Sequence, residues 1–427
     1  APDSALWVLE RAGGDPLLRR MQRAVVLHAA DRWAESEAEF EWVEREADLR
    51  YSRSLRRGAA ALLVNDRSLA YLPSRSEAAM IPVFRMINRL AMGDAEGAAV
   101  EARKAGALRL AQADRSSGRC GHGALAGVVA AFAFGSVGEA DDAGVSLRQS
   151  ARSLEACSAL QRYGAALEVD SVASGGELLL VIQSGWVAHR EGEALQLAFR
   201  SDDVRELESS DDEGVARVAA AISARLLGGG TGGDPWAGDR RRAGWTDALA
   251  DGYLLKLAWP VLRREGVVEE IRLWVDDAPV SSLVTEDLSL GVARDLEAER
   301  AGIAARMVAR GLAKYLLARE AEREAEKQGG ELLGSLVGTF ANVAGNATER
   351  ADTRSWSLLP DRIWVTRLIL PPGEHRVVVE VRGPGGPRKI EMGTVEVGAG
   401  RAAVLGRRVW SAAEGAAAET ASAATSR

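Results

Sequence analysis

Few residues of this chain stand at spacings that known binding or catalytic chemistry uses. The glycines from Gly228 to Gly233 suggest a phosphate-binding loop, in which backbone amides would cradle phosphate oxygens. Such a loop continues with lysine and then serine or threonine, whereas Asp234 and Pro235 follow here and a carboxylate repels phosphate. The segment 228–239 is therefore predicted to be a flexible linker, and no nucleotide cofactor is expected.

The titratable residues do not form a recognisable catalytic pattern either. Asp276 and Asp277 precede Ala278-Pro279, which predicts a turn between strands rather than an acid–base pair. The sequence contains no GxSxG elbow and no serine–lysine pair at helical spacing. Surface or structural roles are expected for the four histidines, which are His28, His122, His189 and His375. We expect no enzymatic activity, no catalytic residue, no metal site and no cofactor.

The two cysteines, Cys120 and Cys157, lie almost symmetrically about a turn at Gly138. In an antiparallel helical hairpin this spacing brings them to the same end, where a disulfide would stabilise the fold by roughly 3–4 kcal/mol. Two free thiols in an apolar interior are the alternative. A metal pair formed by Cys120 and His122 would need two further ligands, and none lies nearby in the sequence.

The first 170 or so residues are predicted to form helical hairpins. Three stretches repeat one pattern, in which a small or aromatic residue follows a short turn, a small residue stands three positions later and an apolar residue four beyond that. The repeated positions are Trp33, Ser36 and Phe40, then Ala95, Ala98 and Ala102, then Ala140, Ala143 and Leu147. Small residues at this spacing let paired helices approach closely, as in tetratricopeptide (TPR) repeats. A generic helical bundle is the alternative.

The rest of the chain predicts a mixed α+β body followed by strands. Strands are expected at 177–183, 194–200, 253–262 and 271–275, a helix at 203–227, and one long helix at 288–328. Four further strands, at 362–370, 375–382, 388–397 and 402–409, would form a small β-sandwich or extend the preceding sheet. The predicted fold is a multidomain α+β protein with a TPR-like domain at 1–172, an α+β domain at 173–350, a β-domain at 351–410 and a disordered tail at 411–427.

Between the long helix and the last strands lies a segment whose composition indicates a structural role. Gly334 and Gly338 form a GxxxG pair, with Gly345 beyond it, which predicts a helix face for close helix contact. Tight packing within the same domain is the alternative. The joint ADTRSWSLLP follows, in which Asp352 would cap the turn or pair with Arg354. Trp356 would anchor in a pocket, and Pro360 would end the turn.

The charge and hydropathy of the chain argue against two classes of function, nucleic-acid binding and membrane spanning. The net charge is −7, and no part of the chain is basic throughout, which argues against nucleic-acid binding. No apolar run reaches the roughly 18–20 residues of a membrane-spanning helix.

Five stretches together resemble a family of uncharacterised bacterial cell-envelope proteins with TPR-like N-termini, many of them lipoproteins. The stretches are MINRLAMGDAEGAAVEARKA, LLLVIQSGWVAHREGEALQL, YLLKLAWPVL, MVARGLAKYLLARE and ATERADTRSWSLLPDRIWVTRLILPPGEHRV. The resemblance implies a periplasmic, outer-membrane-facing location and a role in assembly or scaffolding. The acylated cysteine of a mature lipoprotein has no counterpart at Ala1, so a cleaved export signal is the simpler expectation.

These observations predict a non-enzymatic scaffold or adaptor that binds protein partners and associates peripherally with the outer membrane. Trp33, Trp42 and Phe84 are the candidate partner contacts, and core positions are the alternative for each. A homo- or hetero-oligomeric subunit of a large envelope assembly is the second hypothesis, and a regulator of cell-wall synthesis is the third.

Overall fold

The computed structural model confirms a mixed α+β protein. It describes residues 2–56, 70–113, 123–156, 161–162, 175–198, 203, 206–207, 212–228, 254–265, 268, 270–280, 283–329, 350–383 and 386–409. The predicted disulfide pair (Cys120 and Cys157), the glycine face (Gly334, Gly338 and Gly345), most of the linker and the tail lie outside the described residues.

The N-terminal part of the described chain, up to residue 156, is helical and consists of helix pairs joined by short turns. The helices are α1 (Pro2–Arg11), α2 (Pro16–Ala29), α3 (Trp33–Arg56), α4 (Arg75–Ala91), α5 (Ala95–Ala113), α6 (Gly123–Ser136) and α7 (Ala140–Ala156). Each helix contacts the next one along the chain. Gly93 and Gly138 turn the chain between partners with φ of +77° and +80°, a conformation that favours glycine.

The remaining elements follow the predicted order, with three additional short strands at 161–162, 278–280 and 284–287. They are β1 (Gln161–Arg162), β2 (Gly176–Ser184), β3 (His189–Ala198), α8 (Asp212–Gly228), β4 (Leu254–Arg263), β5 (Glu270–Val275), β6 (Ala278–Val280), β7 (Val284–Asp287), α9 (Leu288–Gly329), β8 (Arg362–Leu370), β9 (Gly373–Gly383), β10 (Gly386–Val397) and β11 (Ala402–Val409). As predicted, Asp276 and Asp277 form the turn between β5 and β6, and both have positive φ.

The strands form two sheets and a ribbon whose pairings are largely non-local. The first sheet has the order β1-β7-β8-β2-β11, in which β11 runs parallel to β2 and the other pairs are antiparallel. The second has the order β10-β9-β5-β6, and β3 pairs with β4 alone. All nine residues of β2 are buried, because this strand lies inside the first sheet and both faces of that sheet are covered.

Alternate residues of β2 point to two different cores. Leu179 and Val181 join a cluster with the buried side chains of α2, α4 and α6. Leu178 and Leu180 join a second cluster with the apolar residues of β5 and β9. A third cluster joins α8, α9 and β4. The first sheet is therefore covered by helices on one face and by the second sheet on the other.

This arrangement differs from the predicted domain division. Strand β2, from the predicted central domain, lies between β8 and β11, which come from the predicted C-terminal domain. Strand β5 likewise pairs with β9 across that boundary. The pairing links residues that are distant in the sequence, so the division at 350–351 does not separate two sheets.

Candidate functional site: an arginine-lined cleft

The ADTRSW joint is anchored in the helical core through Trp356. The Trp356 side chain is fully buried, and its ring centroid lies 6.0 Å from Phe40 and 6.1 Å from Phe84. The Trp356 backbone N–H donates a 2.6 Å hydrogen bond to Glu77 Oε1 in the first turn of α4. The joint is therefore fixed to the helices by both packing and a buried hydrogen bond.

Glu77 organises the start of α4 as well as the joint. Its Oε2 accepts hydrogen bonds from the Ser74 backbone N–H at 2.6 Å and from the Tyr71 hydroxyl at 2.7 Å. The Ser74 hydroxyl in turn accepts from the Glu77 N–H, which completes a capping box. Burial raises the pKa of the Glu77 carboxyl, although the hydrogen bonds from Trp356, Ser74 and Tyr71 oppose that shift. Two backbone N–H groups and one hydroxyl are thus aimed at this buried carboxyl group.

A second interaction connects α4 to the long helix α9. The backbone N–H of Ser76 donates a 2.7 Å hydrogen bond to Asp295 Oδ2. A carboxylate near the first turn of a helix is stabilised by the helix dipole and satisfies one of the unpaired amides there. The two helices are thus held together beside the joint.

The charged residues of the joint form the expected pair. The Arg354 guanidinium donates to the Asp352 carboxylate through Nε at 2.8 Å and through Nη2 at 2.7 Å. It also lies 5.9 Å from the centroid of the Tyr71 ring and 3.9 Å from Asp15 Oδ2. Pro360 is buried where the joint leads into β8. Asp352 and Arg354 thus have a second role that their spacing alone does not indicate, because both line a cleft.

The cleft, of about 160 Å³, lies between the start of α4, the β3–β4 ribbon, α9 and the joint. Five arginines and three carboxylates contribute to its wall: Arg190, Arg306, Arg310, Arg350 and Arg354, with Glu77, Glu299 and Asp352. Apolar side chains complete the lining, among them Leu72, Ile303 and Met307. Ala70 and Arg350 are exposed at the mouth, whereas Met307 and Arg310 are buried at the base.

One stripe of α9 supplies five residues of this wall. Glu299, Ile303, Arg306, Met307 and Arg310 recur three or four positions apart, so they share one helix face. Arg310 is only 6% exposed. The same stripe that packs into the apolar core through Ile303 and Met307 therefore also presents two guanidinium groups to the cleft.

The arginines are held in place by ion pairs. Arg190 Nη2 lies 3.1 Å from Glu299 Oε2, and its side chain is 13% exposed. Burial opposes the charge on Arg190, but Glu299 and Glu77 together raise its pKa above the usual value. The pKa of Arg354 is also raised, chiefly by its hydrogen bond to Asp352. Both groups stay cationic, and positive groups outnumber carboxylates in the wall.

The predicted partner contacts lie elsewhere. Phe84 was a candidate contact, and this prediction is wrong because its side chain is fully buried, with its ring stacked on Phe40. Trp42 is half-buried, with the Arg20 guanidinium 4.4 Å from its ring centroid. Trp33 is half-buried and meets the His28 ring edge-on at 5.1 Å. None of these three residues lines the cleft.

Two features of the sequence indicate parts of this site, although neither belongs to a known catalytic or binding motif. Ser74 and Glu77 have the S-x-x-E spacing of a capping box, which marks the start of α4. Arg306 and Arg310 stand four apart in the long helix and alternate with its apolar positions. Neither indication shows that α4, α9 and the joint meet, because that depends on contacts between residues distant in the sequence.

Within the described part of the chain, no group of three histidine, cysteine, aspartate or glutamate residues could hold a metal ion. Nor does any helix there have the length and apolar character needed to cross a membrane.

No family model, curated protein or solved structure matches this chain, and the geometry of the cleft is therefore the basis for interpreting its function.

Proposed function

We propose that this protein is a non-enzymatic scaffold or adaptor of the bacterial cell envelope, and that it holds a protein partner through the arginine-lined cleft. The observation that carries this proposal is the charge of the cleft wall, where five arginines stand with three carboxylates beside apolar side chains. Arginine recognises carboxylates through paired hydrogen bonds, and a wall of fixed guanidinium groups favours an acidic group on the partner.

We also propose that the helix pairs α2–α3, α4–α5 and α6–α7 are TPR-like. In such repeats a concave face formed by one helix of each pair binds peptides. Here α4 and α6 contact the first sheet, through β11 and through β7 and β8. The chain's own strands thus occupy the face that a partner would use, which favours the cleft as the binding site. A β-sandwich is also part of this proposal, with β8, β2 and β11 in one layer and β10, β9, β5 and β6 in the other.

The periplasmic location and the peripheral association with the outer membrane are part of this proposal and rest on the family resemblance. The second hypothesis, a structural subunit of a large assembly, depends on the glycine face at 334–345. This face lies outside the described residues. Regulation of a cell-wall enzyme would be one case of partner binding.

Partner capture with charge-reversal variants tests the proposal. The tagged protein would be purified from solubilised envelopes and its partners identified by mass spectrometry. We expect Arg306→Glu to abolish capture of the specific partner, because a negative charge in the cleft wall would repel an acidic group. Arg323→Glu is the matched control, since Arg323 is exposed on the same helix and does not line the cleft.

Circular dichroism would first establish that both variants fold. Equal recovery of the same partner by the wild type and by Arg306→Glu would show that the cleft is not the binding site.

A further inference from the structure

We propose that the arginine-lined cleft binds the C-terminal carboxylate of a peptide chain whose last residue is small and apolar. This inference rests on the proposed function and identifies the part of the partner that enters the cleft. It is carried by the size of the cleft, by its combination of donors and acceptors, and by the apolar side chains in its lining.

The size of the cleft favours an end group. Pockets that enclose a whole drug-sized ligand have volumes of roughly 300–1,000 Å³. This cleft, at about 160 Å³, is smaller, and Ala70 and Arg350 are exposed at its mouth. A chain terminus can enter such a space while the rest of the partner stays outside.

The guanidinium groups are placed to receive a carboxylate. Arg190 is held by Glu299, and Arg354 by Asp352, so neither side chain must be ordered when a ligand arrives. Groups held in position before binding lose less conformational entropy. Arg306 extends from α9 between Ile303 and Arg310 on the same face. A carboxylate that enters from the mouth meets cationic groups from three different elements.

The carboxylates in the wall distinguish a peptide terminus from a phosphate. Glu299 and Asp352 accept hydrogen bonds, and a peptide offers them backbone N–H donors next to its terminal carboxylate. A phosphate group carries more negative charge and mainly acceptor oxygens, so the same two carboxylates would repel it. The mixed wall therefore complements a group that has both a negative charge and adjacent N–H donors.

The apolar side chains in the lining favour an apolar side chain on the last residue of the bound peptide. Leu72, Ile303 and Met307 lie in the same wall as the arginines. Met307 is 1% exposed, which places it at the base of the cleft. A small apolar side chain can pack against Leu72, which is half-buried, beside Ile303 and Met307.

The test uses the full chain and a fluorescein-labelled pentapeptide that ends in Ala-Val with a free carboxylate. Fluorescence anisotropy would compare it with the same peptide amidated at its C-terminus. We expect the free acid to bind at least roughly tenfold more tightly, since a hydrogen bond to a charged group typically contributes a tenfold effect or more. Arg306→Gln should weaken binding of the free acid by a similar factor, and Arg323→Gln should leave it unchanged.

Two further probes separate the sources of the negative charge. One is an amidated pentapeptide with aspartate in the last position, and the other is inorganic phosphate as a competitor. Equal binding of the free acid and the amidated peptide would overturn the inference, as would absence of binding by both. Preference for the aspartate peptide or efficient displacement by millimolar phosphate would also overturn it, since either result indicates a general anion site.

Failure of this inference is distinguishable from failure of the proposed function. If partner capture depends on Arg306 but the peptides do not discriminate, the cleft binds the partner through a different acidic group. If capture is insensitive to Arg306→Glu, the cleft itself is excluded as the partner site.

Discussion

His28 lies in a continuous chain of buried hydrogen bonds between the helices and the first sheet. Its Nδ1 lies 2.6 Å from Asn88 Oδ1, and its Nε2 lies 2.7 Å from Gln183 Nε2. Asn88 then donates to the Ser36 hydroxyl at 2.9 Å. This pattern matches a neutral imidazole that donates through Nδ1 and accepts through Nε2. Protonation at Nε2 would place a second donor against the amide N–H of Gln183.

The first prediction concerns the pH dependence that His28 gives to stability. Burial lowers the pKa of His28 from 6.5 to about 4, and Arg408 contributes to the shift. The unfolded chain therefore takes up a proton below pH 6.5 that the folded protein does not. We expect the free energy of unfolding to fall as the pH drops from 6.5 towards 4, with a limit of about 3 kcal/mol from this residue.

Urea unfolding of the wild type and of His28→Gln, at several pH values between 7 and 5, measures this effect. The difference between the two proteins should shrink as the pH falls, because the variant has no imidazole to protonate. His189→Gln, at a position that is not buried, is the control and should keep the wild-type slope. Parallel profiles for the wild type and His28→Gln would contradict the prediction.

His375 changes the stability of the protein with pH in the opposite direction. Its hydrogen bond to Asp276 raises the pKa of the imidazole, and the Pro371 carbonyl adds to the shift. A raised pKa stabilises the folded protein below pH 6.5, and this contribution is lost as the pH rises through the folded-state value. The two histidines, one buried and neutral and one paired with a carboxylate, therefore give stability slopes of opposite sign.

At the scale of the elements, helices α6 and α7 approach closely at Gly127. A methyl group added there would lie 2.8 Å from the Ser146 carbonyl oxygen and 2.8 Å from Ser150 Cβ. In α5, a methyl group added at Gly106 would meet nothing within 4 Å. The same substitution in two neighbouring helices therefore has different steric consequences.

The second prediction follows from this pair of glycines. Gly106→Ala should stabilise the protein by about 0.5–1 kcal/mol, since alanine favours a helix over glycine. Gly127→Ala should destabilise it by about 1–3 kcal/mol, because the clash with α7 outweighs that gain. Thermal unfolding followed by circular dichroism measures both. A higher melting temperature for Gly127→Ala would show that α7 can move away at little cost.

The helices and strands show which features of the fold a sequence can predict and which it cannot. The predicted strands 362–370 and 402–409 coincide with β8 and β11, because local apolar patterns and turn residues define them. The parallel pairing of β11 with β2 could not be predicted, since no local pattern specifies a distant partner. The burial of Phe84 could not be predicted for the same reason. The sheet and the joint that help to cover its helix come much later in the chain. The cleft shares this limit, because its arginines come from β3, α9 and the joint.

At the scale of the whole molecule, the helical segment has no complete core of its own. The cluster that contains Met80, Phe84 and Val129 also contains Leu179, Val181 and Ile363 of the first sheet. Removal of the sheet would expose the apolar faces of α4 and α6 to water. Large exposed apolar patches promote association.

The third prediction is that residues 1–172 alone do not form a stable monomer. We expect this fragment to bind a hydrophobic dye and to elute as aggregates in size-exclusion chromatography, although its helices should remain visible by circular dichroism. Co-expression with residues 173–427 is the control and should restore solubility by covering the helices. A monomeric fragment with a cooperative unfolding transition would show that the helices are an independent domain.

The parallel pair of β2 and β11 also has a consequence for biosynthesis. Arg408 on β11 hydrogen-bonds the Gly185 carbonyl next to β2, across a separation of 223 residues. At a translation rate of roughly 5–20 residues per second, the ribosome needs on the order of ten to forty seconds to add that length. During this interval the nascent chain already contains α4 and α6 but lacks the last strand. Chaperones that shield apolar helices should therefore accompany the chain until its C-terminus is released.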